Sequence, residues 1–388
     1  MLNKYSQNVN LQSLAGIYIH IPFCKKACTY CNFHFSTSLV LKNDFLAALE
    51  CEIKLTGLFD DSELIETIYF GGGTPSLLSA PEIAAIIFAL KNKFKISDAV
   101  EITLEANPDD INKSVLTSWQ SCGINRLSLG VQSFSDTELT WMNRAHNSTQ
   151  SLQSIDEIIE AGFTNFSVDL IYGSPLLSNE ALMETASIIF DKEIPHISCY
   201  ALTVEPRTAL NKMIAQGNIT PVNPEQQADQ FEIIVRLTEK AGYEQYEISN
   251  FAKPGYRSRH NSTYWQGKPY YGFGPSAHSF DGTNIRRWNI SNNTLYIQSL
   301  KNKVIPFEEE VLTRKQQLNE YIMTSLRTME GLNLKKVQND FGEKEAKKIL
   351  IESTKYLDQK LMKQQHDCII LTKKGKFLAD GIAADLFF

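Results

Sequence analysis

The 388-residue chain lacks several features that would have decided its class at once. It has no run approaching the eighteen or so consecutive apolar residues that a membrane-spanning helix needs. Met1 to Leu14 is polar and carries no signal-peptide core. Charge of one sign is not in excess. With 38 Lys and Arg against 44 Asp and Glu the net charge is −6, so no extended nucleic-acid surface is expected. A disulfide framework is missing too. The seven cysteines are an odd number, and Cys51, Cys122, Cys199 and Cys368 lie scattered in apolar surroundings. These four read as buried small hydrophobes rather than the staples of a secreted scaffold. The expectation is a cytoplasmic globular protein with one large domain and a smaller one.

What is present is an alternation of strand-length apolar runs with helix-length amphipathic stretches. Strands are expected at Ile17–Ile21, Thr67–Phe70, Glu101–Glu105, Arg126–Val131, Phe166–Ile171 and His196–Leu202. Helices are expected at Asp44–Leu58, Pro81–Lys93, Lys113–Ser121, Thr149–Ala161, Glu180–Asp191 and Glu225–Ala241. Pro81 suits the first helical position and Gly162 the end of a helix. Such alternation implies a parallel α/β sheet with helical crossovers, here six units of an incomplete barrel. The division expected is a short segment 1–15, the barrel 16–245, a Gly- and aromatic-rich connector 246–310 and a helical domain 311–388. That last domain ends, from Cys368, in a small β-wing and a helix, which is winged-helix-like. Its lysines (Lys335, Lys336, Lys347, Lys348, Lys373, Lys374 and Lys376) read as a solvated basic face on a packing domain, not as a DNA contact.

Three cysteines cluster in Cys24-Lys-Lys-Ala-Cys28-Thr-Tyr-Cys31. Soft thiolates select iron–sulfur clusters or zinc. Three ligands from one loop suit a [4Fe–4S] cube and leave a fourth iron open to a small molecule. A structural zinc site needs a fourth ligand nearby, and His34 makes Cys3His the rival reading. The strand Gly16-Ile-Tyr-Ile-His-Ile-Pro22 delivers the loop at its C-terminal end, where barrel sites are built.

This string, His-Ile-Pro-Phe-Cys24 through Cys31, resembles the radical S-adenosylmethionine (SAM) superfamily. Within it the string resembles the coproporphyrinogen oxidase-like branch, which includes the oxygen-independent coproporphyrinogen III oxidase and the HemW haem chaperones. The resemblance implies a cluster on Cys24, Cys28 and Cys31 that cleaves SAM to a 5′-deoxyadenosyl radical, with an external electron donor. It also implies that the Gly72, Gly73 and Thr74 backbone holds the SAM amino group. Glu105, Gln132, Arg144 and Asp169 then face the cofactor or substrate cavity. Tyr18 and Tyr30 flank the cluster, Tyr30 against the adenine. Read alone, the glycine run is a tight turn, Glu105 a solvated strand end, and Asp169 a buried carboxylate that Arg144 could pair.

Two features separate the branches. The oxidases carry a further Cys two residues after the third ligand, where this chain has Phe33. They also have an N-terminal extension, where about fifteen residues precede the first strand here. His260-Asn261-Ser-Thr-Tyr264-Trp265 matches the HNxxYW motif of HemW-like proteins. It implies haem on His260, with His278 as the alternative ligand, packed by Tyr264 and Trp265. Lys253, Arg257, Arg259, Arg286 and Arg287 are candidates to pair the propionates. Read alone, His260 is a hydrogen-bonded loop histidine. The resemblance favours a chaperone that passes haem to an acceptor protein and implies a homodimer. The alternative is the oxidase, which decarboxylates propionates to vinyls.

Overall fold

Strand by strand, apolar side chains face outward and polar ones inward, and this period-two pattern organises the molecule. The computed structural model describes residues 14–57 and 63–388. The expectations for the segment before residue 14 and for a helix end at Leu58 lie outside the described residues. The β/α units run β1 (Leu14–Ile21), α1 (Lys42–Leu55), β2 (Leu64–Gly72), α2 (Ala80–Lys93), β3 (Lys95–Ala106), α3 (Lys113–Ser121) and β4 (Arg126–Gln132). They continue with α4 (Asp136–Trp141), α5 (Ser148–Glu160), β5 (Phe166–Tyr172), α6 (Asn179–Asp191) and β6 (His196–Ala201). Neighbouring strands from β1 to β6 pair in parallel. The sheet stays open and does not close into a full barrel.

Local chemistry sets the boundaries. Ser79 and Glu82 form a capping box at α2, which places Pro81 at the second helical position rather than the first. Asn112, Asn147 and Ser178 cap α3, α5 and α6. Ile68, Phe70, Leu104, Leu127, Leu129, Val168 and Ile197 pack outward with helical Leu49, Ile83, Leu116 and Ile158 in one core.

Beyond β6 lie α7 (Ala209–Ala215), α8 (Pro224–Lys240), β7 (Glu244–Gln245) and β8 (Asn250–Ala252), with β8 antiparallel to β6. Then come α9 (Arg259–Trp265), β9 (Tyr270–Phe273), β10 (His278–Phe280), β11 (Ile285–Asn289), α10 (Asn293–Lys301) and β12 (Phe307–Val311). Residues 246–310 therefore extend both edges of one twelve-stranded sheet, through β8 on one side and through β9 beside β1 on the other. α1 is tied to this edge by buried Glu52. It accepts hydrogen bonds from Tyr296 (2.5 Å), the Gly274 amide (2.8 Å) and Asn289 (2.5 Å). Burial pushes its carboxyl up to about 7.

A second core holds α11 (Arg314–Leu326), β13 (Leu332–Asn333), α12 (Leu334–Asp340), α13 (Glu343–Asp358), β14 (Met362–Gln365) and β15 (Cys368–Leu371), closed by α14 (Lys373–Phe377) and α15 (Ala379–Asp385). β13, β15 and β14 form a three-stranded antiparallel wing. Several of its lysines are engaged: Lys336 with Asp340 and Lys347 with Glu343 one turn away, Lys373 with Glu239 of α8 and Lys376 with Gln245 of β7.

Candidate functional site

The C-terminal ends of the parallel strands and the loop after β1 enclose a cavity of about 400 Å³. That lies within the range of small-molecule sites. Cys24, Cys28, Cys31, Tyr30, Gly72, Gly73, Thr74, Glu105, Gln132, Arg144, Asp169 and Asn261 all line it.

The cysteine loop is held by backbone bonds on three sides. Cys24 donates to Ser36 (3.0 Å), Thr29 to Met142 (3.1 Å), and Leu210 donates to Thr29 (2.8 Å). Lys25 pairs with Asp109 (2.7 Å) beyond β3. The three thiols are partly exposed to the cavity. Burial, together with the neighbouring Cys31 and Cys28, pushes the Cys24 thiol up to about 11. Three crowded thiolates therefore need a cation, which is the chemistry a metal cluster supplies, and the donor set fits one. His34 does not join the set. Its Nε2 bonds Asn293 (2.7 Å), and among the described residues no three Cys, His, Asp or Glu converge on a single ion. The Cys3His reading lacks its fourth ligand.

At Gly73 a Cβ would lie 2.5 Å from the Phe23 carbonyl oxygen and 2.8 Å from that of Ile21, so this close approach admits only glycine. The Gly73 and Thr74 amides donate to those same oxygens, and the Gly72 amide to Glu105 (3.2 Å). An ammonium is a donor, so the oxygens of this segment, not its amides, could hold one. Glu105 also accepts from Tyr69 (2.8 Å), and burial pushes it up to about 7.

Arg144 does not pair with Asp169. It donates to Asn107 (2.6 Å), the Gly130 carbonyl (2.7 Å) and the Cys28 sulfur (3.4 Å). A Cβ at Gly130 would sit 3.2 Å from that guanidinium. Asp169 instead accepts from Ser128 (2.9 Å). Strand register brings in residues that the sequence reading missed. Glu105 lies opposite Ser128, and Asp169 opposite Ser198. With Asn107 and Tyr200 these serines line the cavity. The alternation Ser198-x-Tyr200 and the Asn107-Pro108 strand exit were the available signals.

Tyr18 is displaced from its expected place. It is outside the cavity lining, bonds His20 (3.2 Å) and stacks on Tyr69 at 6.2 Å.

The HNxxYW segment also departs from expectation. It forms α9, which packs against β1 and β2 beneath the cavity. His260 is 1% exposed. One ring nitrogen meets Thr67 (2.8 Å), the other Tyr264 (3.0 Å), and the ring stacks on Tyr69 at 4.9 Å. Burial lowers its pKa to about 3. Neither nitrogen is free for an iron in this arrangement, because both are spent on buried hydroxyls. Trp265 lies under Arg327 at 5.3 Å, and Tyr264 packs edge-on to Tyr270; of the motif, only Asn261 reaches the cavity.

The five basic candidates do not form a propionate cradle either. Lys253 sits over Tyr243, Arg257 pairs with Glu244 and Glu330, and Arg259 with Glu66. Arg286 pairs with Glu310 and Arg287 with Glu309. His278 differs from His260: it is exposed on β10 and stacks on Trp288 at 6.1 Å.

Comparison with known proteins gives concordant matches. The family model described as the radical SAM superfamily matches residues 18–189, and that of the HemN C-terminal domain matches 312–378. A protein named heme chaperone HemW from Lactococcus lactis is 33% identical, over 96% of this chain and 99% of its own length. Its namesake from Bacillus subtilis is 34% identical, over 95% and 98%. The coproporphyrinogen III oxidase HemN from Escherichia coli superposes with a TM-score of 0.82 over 97% of this chain and 90% of its own, at 24% identity. At that identity the likeness concerns the fold.

Proposed function

We propose, from the premise that this chain belongs to the HemW family of the radical SAM superfamily, that it is a cytoplasmic haem chaperone. It binds haem and passes it to an acceptor protein. Cys24, Cys28 and Cys31 hold a [4Fe–4S] cluster, and the cavity beside them holds SAM, with Gly72 and Gly73 carbonyls, Glu105, Gln132, Arg144 and Asp169 around it. The bound cluster supplies one-electron chemistry. The chain's own groups supply the open ligand position, a guanidinium beside one sulfur and two carboxyls. The observation that carries the reading is the near-full-length similarity to proteins named heme chaperone HemW, together with three cysteines facing one cavity.

For the haem iron the reading favours His278 over His260. An exposed imidazole beside a tryptophan offers a free nitrogen. The test is anaerobic reconstitution and haem titration, followed by incubation with coproporphyrinogen, SAM and a reductant. Haem uptake without vinyl product supports a chaperone, and turnover to a vinyl porphyrin makes the chain an oxidase. H278A should weaken haem uptake by about tenfold or more, the loss that even an outer-shell partner of a metal ligand brings. Unchanged uptake would remove His278 from the site.

A further inference from the structure

Below the cavity the barrel interior is polar, where a closed (β/α)8 barrel fills it with branched apolar side chains. Arg126 of β4 stands there, 1% exposed, two residues along the strand from Ser128 and so on the same face. A buried guanidinium cannot shed its charge, and burying it unpaired is costly. Yet none of the ion pairs among the described residues includes it, and its Nε has no hydrogen-bond partner.

Arg126 Nε is one of five orphaned atoms on five strands: Thr103 Oγ1 on β3, Asp169 Oδ1 on β5, His196 Nδ1 on β6 and Asn250 Oδ1 on β8 are the others. Thr103 lies opposite Arg126, and Ser167 opposite His196. The five include a donor, two acceptors and two groups that can be either. An anion would satisfy only the donors, whereas water satisfies all of them.

We propose that Arg126, acting across water held in the lower barrel, is the positioning residue that keeps the Asp169 carboxylate charged where it faces the cofactor cavity. Ser128 links the two strands, bonding Ser167 (2.8 Å) and Asp169 (2.9 Å). The groups around Asp169 are Glu105 from β3, Tyr69 from β2, Tyr200 from β6, Arg126 from β4 and Arg144 after α4. Burial raises the Asp169 carboxyl; the Ser198 and Ser128 hydroxyls, then Arg126 and Arg144, pull it back down. Arg144 is committed to Asn107, Gly130 and Cys28. His196 and His260, the other basic groups beside Arg126, are held neutral by burial and by Arg126 itself. Among the described residues the lower barrel therefore has one permanent cation, Arg126, and the carboxylate it serves borders the cavity.

This inference rests on the reading that the cavity holds SAM. The test is calorimetric titration of the reconstituted full chain with SAM at pH 6.0 and 8.5, comparing wild type with R126Q. Glu105, pushed up to about 7 by burial, titrates between these values in both proteins, so the readout is the ratio of R126Q to wild-type affinity at each pH. Relative to wild type, R126Q should bind more weakly at pH 6.0, by about tenfold for each unit by which its Asp169 pKa exceeds 6.0, and approach wild type at pH 8.5. Equal weakening at both pH values is the mark of a merely structural role and overturns the inference. No SAM binding to wild type at either pH overturns the reading of the cavity, and this inference with it. If R126Q fails to fold, the infrared carboxyl bands that D169N deletes from the wild-type spectrum decide the matter at pH 6.0. An ionised band supports the inference, and a protonated one overturns it.

Discussion

The cysteine loop and helix α9 both carry conspicuous motifs, and the fold treats them in opposite ways. The loop after β1 presents its sulfurs to a cavity and uses backbone bonds to hold itself in place. The α9 segment turns its histidine and tyrosine inward, where they bond Thr67 and each other. One region is left with three sulfurs facing a cavity, the other with a histidine whose two ring nitrogens are both engaged. A motif's residue types suggest what chemistry is possible; whether the atoms are free depends on what the rest of the chain places beside them.

The largest expected effect tests the open half of this contrast. C31S should lose nearly all bound iron and sulfide after reconstitution, because two thiolates cannot hold the cube. Full iron retention in C31S would mean that another donor completes the site.

The closed half is probed by His260. H260A removes a buried ring and orphans two hydroxyls, so it should cost about 2–4 kcal/mol in chemical denaturation. The sign of its pH dependence follows from a folded pKa of about 3 against 6.5 unfolded. The unfolded chain binds the extra proton between these values, so the contribution is complete above pH 6.5 and is lost as the pH falls towards 3. H260Q should therefore show a shallower acid loss of stability, by about 1.4 kcal/mol per pH unit for the one proton. A fall in haem affinity with stability unchanged would break the contrast.

The smallest effect is expected from the scattered cations. K253A and R287A should each leave haem affinity within about twofold, since Lys253 and Arg287 are already engaged with Tyr243 and Glu309. A loss beyond tenfold would mean that these pairs open to receive propionates.

Much of the frame was legible from the sequence. Six strands and their helices follow from apolar periodicity, and their observed ends differ mainly by a few residues at each terminus. β3 is the exception, beginning at Lys95 because exposed residues there still pair with β2. The cavity was only partly legible. Glu105, Gln132, Arg144 and Asp169 do meet, whereas Ser128, Ser198 and Asn107 emerge only from register and strand exit.

The sequence by itself determined the α/β alternation, the inward polar face of each strand and the spacing of three thiols, because these depend on neighbours a few residues apart. The tertiary structure decided which polar groups are spent and which are free. His260 is satisfied by Thr67, 193 positions away, and Arg144 by a carbonyl and an amide from two different strand ends. Hydrogen-bond satisfaction in a buried interior is settled between elements distant in sequence, so local pattern carries no record of it.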